Sequence, residues 1–557
     1  MKRKLLAVLL TGAMLSGILV GCGQEKPTES AVTSEVAESA NSNSETTVTE
    51  TQQQEVMEEI TYPLVDAEDL TWWVQNIFTL QSEFTDYTQS PFHTGLSTQT
   101  GVDIEWSFPA VGADKDTAYN LIWQEEKLPN IIYSNTVTVT EGAELIADGL
   151  IYDLTEYLPT YAPDFWELIH RPEYEDALKL MTTADGSFFG FPSIHESGFG
   201  LTTMGPIIRT DWLEECGLEA PVTFEDWEKV LVAFKEKYNC APFSPLIVQL
   251  RMVGLASGTG AYGSFNYKYY EDDNGNVQFA QVQDEYKEYL ATLNKWYEMG
   301  LIDADFTTAN ANGVRAKALN NEVGISFGAT SLITNLNKDA EAEKTGAVYA
   351  AMEYPRTAPG EPTTFIHGQR AIFQETGYAM ITTSCTEEEL ITALKLLNYG
   401  YSDEGSMYWN FGTEDVSYTL DSEGKAQWTK LLTEDPAGLT EGIKKYADSG
   451  NGPHIKLDHY KIIANSEAGV AALSIWTENT VSPAHTLPSA VFTEEESAIF
   501  ADKNAAIETY VQTMSLKFIT GEESLDNWDA YVAEINKLGL EECIKAQQAS
   551  LNRRLGK

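Results

Sequence analysis

Apolar and polar residues alternate through Val102-Asp103-Ile104-Glu105-Trp106, the period of a half-buried β-strand. Two shorter runs, Leu70-Thr71-Trp72-Trp73-Val74 and Asn130-Ile131-Ile132-Tyr133, are rich in β-branched and aromatic side chains and also read as strands. A helix is expected between the first two strands, and Tyr119 to Leu128 reads as the helix before the third. Strand, helix, strand, helix, strand predicts an α/β lobe built on a largely parallel sheet. Ligands of such sheets sit beyond the carboxyl ends of the strands. Val74 to Ile77 and Tyr133 to Thr136 lie at those ends.

Further along, the period lengthens. Trp227, Val230, Leu231 and Phe234 form a helical stripe behind a Thr223–Asp226 capping pair. Tyr286, Tyr289, Leu290, Leu293, Trp296 and Tyr297 form a second stripe that stops at Gly300. Between them, Tyr267 and Tyr269 alternate into an Asn274-Gly275 turn, and Val277 and Phe279 alternate out, as in a hairpin. A similar hairpin is expected from Tyr418 to Trp428, with Gly424 in the turn. The last third is mainly helical, with Ser524 capping a segment that carries Leu525, Trp528 and Tyr531.

The N-terminus follows neither period. Lys2, Arg3 and Lys4 precede an apolar run from Leu5 to Val20, then Gly21 and Cys22. This is the pattern of a secretory signal, here 1–21. Leu19, Gly21 and Cys22 look like a bacterial lipobox, which implies acylation of the Cys22 thiol and anchoring by ~0.8 kcal/mol per buried methylene. From Gly23 to Glu59 there is no aromatic residue. Such a stretch buries too little apolar surface to offset its ordering entropy, so 22–65 reads as an acidic tether.

Composition narrows the class. Acidic residues outnumber basic ones 84 to 36, a net charge of −48, with no basic patch, which excludes nucleic acid as a partner. The roughly 490 residues after the tether exceed what one core organises, so two or more lobes are expected. No second apolar run reaches the ~18 residues of a membrane span. Cys216, Cys240, Cys385 and Cys543 show no CxxC spacing and no clustered His, against a zinc site. Cys216 and Cys240 could pair or remain free.

The strand segments Leu70 to Asn76, Thr100 to Trp106 and Leu128 to Ser134 come in the order seen in bacterial extracellular solute-binding proteins of ABC importers. Four further stretches fit the larger Gram-positive sugar-binding lipoprotein subgroup. They are Asp185-Gly-Ser-Phe-Phe-Gly-Phe-Pro192, Ile208-Arg-Thr-Asp-Trp-Leu213, Glu288 to Asp303, and Phe518-Ile-Thr-Gly-Glu-Glu-Ser-Leu-Asp-Asn-Trp528. On these the chain resembles the carbohydrate-binding family related to maltose-binding protein. One departure is Ser550-Leu-Asn-Arg-Arg554, where the subgroup ends on a tyrosine-bearing segment. The resemblance implies an α/β, two-lobed, type II periplasmic-binding-protein-like fold with the ligand cleft between the lobes. By order of crossings the first lobe is placed at 66–200 and 376–430, and the second at 201–375 and 431–557. It implies a monomer held to the outer face of the cytoplasmic membrane by lipid alone. Its expected partners are a carbohydrate and the permease subunits, with no cofactor. Gly198, Gly200 and Gly205 suit a hinge or an ordinary loop.

A sugar offers apolar C–H faces to aromatic rings and a rim of hydroxyls to polar side chains. Trp72, Trp73, Asn76, Tyr133 and Asn135 lie at the strand ends, and strand geometry lets only one of the paired tryptophans face the cleft. Trp409 and Phe411 belong to an aromatic cluster before Gly412, and His367 and Arg370 lie near an expected crossing. Trp476 matches a stacking tryptophan of the maltose-binding relatives. For each ring the alternative is core packing, and for His367 and Arg370 a solvated loop. Phe188, Phe189 and Phe191 read as structural.

Three motifs fail on context. Gly324-Ile-Ser-Phe-Gly328 fits a nucleophile elbow but lacks a strong preceding strand. Ser422-Glu-Gly-Lys425 and Lys344-Thr-Gly346 resemble motifs of penicillin-binding enzymes, but stand in the wrong order and without the middle motif. Asp272-Asp-Asn-Gly-Asn276 resembles a calcium loop, but its glycine comes too early and no bidentate Glu follows. The alternative function is a surface glycan-degrading enzyme using paired carboxylates, which so acidic a chain does not exclude.

Overall fold

The computed structural model describes residues 60–75, 87–110, 113–183, 185–245, 269–358, 360, 373–448, 450, 452–478, 487–488 and 490–555. The signal, Cys22, most of the tether, Asn76, Tyr267, His367 and Arg370 lie outside them. The stretch Met57–Lys557 forms one compact unit.

The chain opens with β1 (Leu70–Val74), β2 (Ile104–Ser107), β3 (Ile131–Ser134) and β4 (Phe191–His195). β1 pairs in parallel with both β2 and β3. Helix Pro91–Thr100 lies between β1 and β2, with Ser90 accepting from the His93 N–H as its N-cap. The helix before β3 runs over Lys115–Ile122, capped by Asp114, and stops short of the expected Leu128. Glu125, Glu126 and Lys127 offer no apolar stripe, and Pro129 holds Leu128 extended.

The chain then enters a second packing unit. β5 (Met204–Arg209), the hairpin β6 (Tyr269–Glu271) and β7 (Val277–Phe279), β8 (Ile325–Ala329) and β9 (Tyr349–Ala351) follow. β5 is the centre of a three-stranded antiparallel sheet, flanked by β8 and β9. Helices Phe224–Tyr238 and Asp284–Glu298 pack Trp227, Val230, Leu231, Phe234, Leu290, Leu293 and Trp296 into one core with that sheet. The Thr223–Asp226 capping box closes reciprocally, as the sequence pattern requires.

β10 (Phe373–Ile381) returns to the first sheet, antiparallel between β3 and β4. The hairpin β11 (Tyr418–Leu420) and β12 (Ala426–Trp428) turns at Gly424, and β13 (Ile455–Lys456) pairs in parallel with β4. The first sheet therefore reads β13-β4-β10-β3-β1-β2. Helices Glu467–Glu478, Glu494–Thr520, Trp528–Lys537 and Leu540–Arg554 complete the second core.

These two cores are the lobes, and the described residues change from one to the other three times along the chain. The last crossing comes later than expected. Residues 431–464, placed by sequence in the second lobe, pack with the first: β13 joins its sheet, and Leu457, Tyr460 and Ile463 cover Phe411 and Tyr418. The hinge glycines divide. Gly200 has φ +62 in the first crossing. Gly205 lies inside β5, where a Cβ would come within 2.4 Å of the Trp476 indole. Across the lobes, Arg554 donates to the backbone carbonyls of Thr182 at 2.8 Å and Lys179 at 3.5 Å. Thr140 donates to the Ala490 carbonyl. All four described cysteines are free thiols. No helix among the described residues is long and apolar enough to cross a membrane.

Candidate functional site

Strand pleating sends Trp72 and Trp73 to opposite faces of the first sheet. Trp73 packs against Tyr119 at 6.3 Å in a small cluster with Ile132 and Tyr378. Trp72 faces the other way. It stacks on Trp106, its in-register neighbour on β2, with centroids 4.8 Å apart and planes at 23°. Trp409 approaches Trp72 to 6.5 Å from helix Asp403–Phe411 and meets Phe92 edge-on at 4.9 Å.

These rings, with Tyr133 and Asp448, line a narrow crevice with a free volume of about 10 Å³. Gly452 completes the wall, and glycine is required there: φ is +91 and a Cβ would lie 2.5 Å from the Trp409 ring. The Gly452 backbone bonds the Tyr133 hydroxyl. Burial, with the Asp448 carboxylate nearby, pushes that phenol far above its usual range. Behind Trp409, His454 stacks face to face at 5.0 Å with planes 1° apart. Burial pushes this imidazole down to about 3, so it is neutral at physiological pH.

Two donors in this wall are unspent. The indole N–H groups of Trp72 and Trp106 are buried and find no acceptor among the described residues. Leaving a buried donor unpaired costs roughly 1–3 kcal/mol. At the strand ends, Gln75 is the organiser. Its carbonyl oxygen accepts from Ser134 Oγ at 2.7 Å and Asn135 N at 3.1 Å, and its amide donates to the Lys115 carbonyl. Asn135 stands half-buried, its side-chain oxygen unpartnered among the described residues.

The structure thus brings together Trp72, Tyr133 and Trp409 of the sequence candidates. It takes three elsewhere. Trp73 is core on the opposite face. Phe411 is 1% exposed and enclosed by Tyr418, Trp428 and Tyr460. Trp476 is fully buried in the second core, its indole donating to the Met352 carbonyl at 3.2 Å above Gly205. It offers no face to a ligand, and the expectation that it stacks on one is corrected. Sequence reasoning passed over Phe92, Trp106, Asp448 and Gly452. Trp106 was legible as the inward end of the alternating strand; Asp448 and Gly452 were hidden by the misplaced crossing.

The other motifs resolve structurally. Ser326 sits within β8 opposite Ile207 and is 3% exposed, not on a strand-to-helix turn. Asp272 accepts from Asn274 N, Asn276 N, Asn276 Nδ2 and Gln278 Nε2, which occupies its carboxylate inside the hairpin turn. No cluster of three metal-ligating side chains occurs among the described residues.

Comparison with known proteins follows this geometry. The profile of the bacterial extracellular solute-binding protein family matches residues 81–407, more than half of the chain. The chain belongs to that family. Among solute-binding relatives, the fructooligosaccharide ABC transporter substrate-binding protein FusA of Streptococcus pneumoniae serotype 4 is 24% identical over 494 residues. The match covers 81% of this chain and 85% of FusA. Lipoprotein LipO of Bacillus subtilis is 24% identical over 481 residues, 82% of this chain and 88% of LipO. The solved HMO-binding, ABC-transporter-associated solute-binding protein of Bifidobacterium longum infantis superposes with a TM-score of 0.70 at 20% identity. That superposition covers 88% of this chain and 99% of the other. Alginate-binding protein AlgQ2 gives 0.69 at 18% identity, with the same coverage. At these identities the likeness establishes the two-lobed solute-binding fold.

Proposed function

We propose that this protein is the extracellular substrate-binding lipoprotein of an ABC importer, and that it captures a carbohydrate, an oligosaccharide, between its two lobes. The observation that carries the reading is the crevice at Trp72, Trp106, Tyr133 and Trp409, with its two unspent indole N–H donors. Stacked rings match the C–H faces of a pyranose or furanose, and N–H donors match its oxygens. FusA, a relative over most of its length, is a fructooligosaccharide-binding component of an ABC transporter. Asn135 belongs to the same rim, and Asn76, His367 and Arg370 remain candidates for it.

On this reading the lobes close over the sugar by bending at the three crossings. The closed form then meets the permease subunits, and the acylated Cys22 and acidic tether keep the monomer at the outer face of the cytoplasmic membrane of a Gram-positive cell. No catalytic group is assigned. A calorimetric screen of the tether-free protein against neutral and acidic oligosaccharides tests the proposal. One-to-one binding without product release is expected; turnover, or failure of every sugar to bind, overturns it.

A further inference from the structure

Away from the crossings, hydrogen bonds join the lobes at Thr140 and at Arg554. In the second lobe, the last turn of helix Leu540–Arg554 pins the segment that leads into helix Glu494–Thr520. Ser550 Oγ accepts from Val491 N at 2.6 Å, and Arg553 donates to the Val491 carbonyl through Nη2 at 2.9 Å and Nε at 3.1 Å. The neighbouring Ala490 carbonyl accepts from the hydroxyl of Thr140 in the first lobe. Arg554, next along the helix, reaches the first lobe itself. It donates to the carbonyls of Thr182 at 2.8 Å and Lys179 at 3.5 Å, at the end of helix Glu175–Met181. Carbonyls at a helix end lack intrahelical partners, and a cation there is favoured by the helix dipole.

The two contacts stand on opposite faces of the first sheet. Val139, on the helix of Thr140, packs with Trp73, whereas Ala177 and Met181, on the helix that Arg554 meets, pack in the core of Trp72. Feet on both faces resist a tilt of the second lobe in either direction, because a hydrogen bond weakens steeply once its geometry is lost. The described residues that line the crevice all belong to the first lobe. The arrangement that these contacts hold is therefore one in which no described residue of the second lobe reaches the crevice. Covering the crevice swings the second lobe toward the Trp72 face and draws Ala490 away from Thr140.

We propose that Arg554 and the Thr140–Ala490 contact form a strut that holds the empty protein open and is broken on capture. This rests on the reading that a sugar closes the two lobes. A contact made only in the open form favours that form, and it lowers the apparent affinity of any ligand that requires the closed one. The end of the C-terminal helix is then a regulator of affinity that touches no sugar.

The test compares wild type with Thr140→Val, Arg554→Gln and the double variant. Calorimetry uses kestose, cellotriose and trigalacturonate, and small-angle scattering is recorded without sugar. The double variant should bind whichever of these sugars binds the wild type about threefold or more tighter. Its sugar-free radius of gyration should fall toward the liganded value, and Arg554→Lys should stay near wild type in both. Unchanged or weaker binding in the double variant overturns the strut, as does a lower melting temperature with no gain in affinity, which marks a plain structural contact. If none of the sugars binds any variant, the carbohydrate reading falls for this panel and the sugar-free radius alone decides: an unchanged value overturns the strut, and a smaller one upholds it.

Discussion

At the residue scale, aromatic side chains in this protein divide by what lies behind them. Trp409 is backed by His454 and presents its other side to the crevice. Stacking contributes about 0.5–1.5 kcal/mol beyond area burial. Trp409→Leu should therefore weaken sugar binding by roughly two- to twelvefold, measured by calorimetry. Trp476 has protein on every side, and Trp476→Ala should cost ~3–5 kcal/mol in urea unfolding, without a direct loss of ligand contact. His454 gives a pH signature. Its folded-state pKa lies near 3, below the ordinary 6.5, so the unfolded chain takes up a proton that the folded one refuses. Stability is full above about pH 6.5 and falls as pH drops toward 3, by up to ~1.4 kcal/mol per unit. His454→Phe should lose less stability between pH 7 and pH 5 than the wild type; equal losses in both would refute this.

Helices and hairpins were legible wherever the deciding chemistry is local. The box at Thr223–Asp226 needs only residues three apart, and Thr223→Ala should cost about 0.5–2 kcal/mol of stability in chemical denaturation. Both described hairpin turns likewise follow from their own residues: Gly275 has φ +81 and Gly424 φ +78, and each turn is tied by an aspartate, Asp272 or Asp421, accepting from backbone N–H groups. What depends on distant partners was not legible. A two-residue strand such as β13 carries no periodicity, and its place beside β4 is fixed by pairing alone. Missing it put the last crossing too early and hid Asp448 and Gly452. The same limit misread Trp476: local sequence shows a tryptophan on a helix, and only the approach of Gly205 from β5 shows that its face is covered.

For the whole molecule, ligand should draw the lobes together, and small-angle scattering should record a smaller radius of gyration with a bound sugar. An unchanged radius at saturation would rule out the hinge. Anchoring is separable from capture: Cys22→Ala should leave sugar affinity intact and release the protein from the membrane, read by lipid labelling and fractionation. Order of assembly follows from one strand. β10 sits between β3 and β4, yet reaches the sheet more than 170 residues after β4. A chain emerging from the export channel has two bare strand edges until Phe373–Ile381 arrives, and bare edges invite pairing with other chains. Loop closure over that distance is slow for non-local sheets. The second lobe's three-stranded sheet, from β5, β8 and β9, is complete by Ala351. Of the two sheets, the one that begins first in the gene is therefore finished last, and the newborn protein is most exposed to misassembly while it waits for its middle strand.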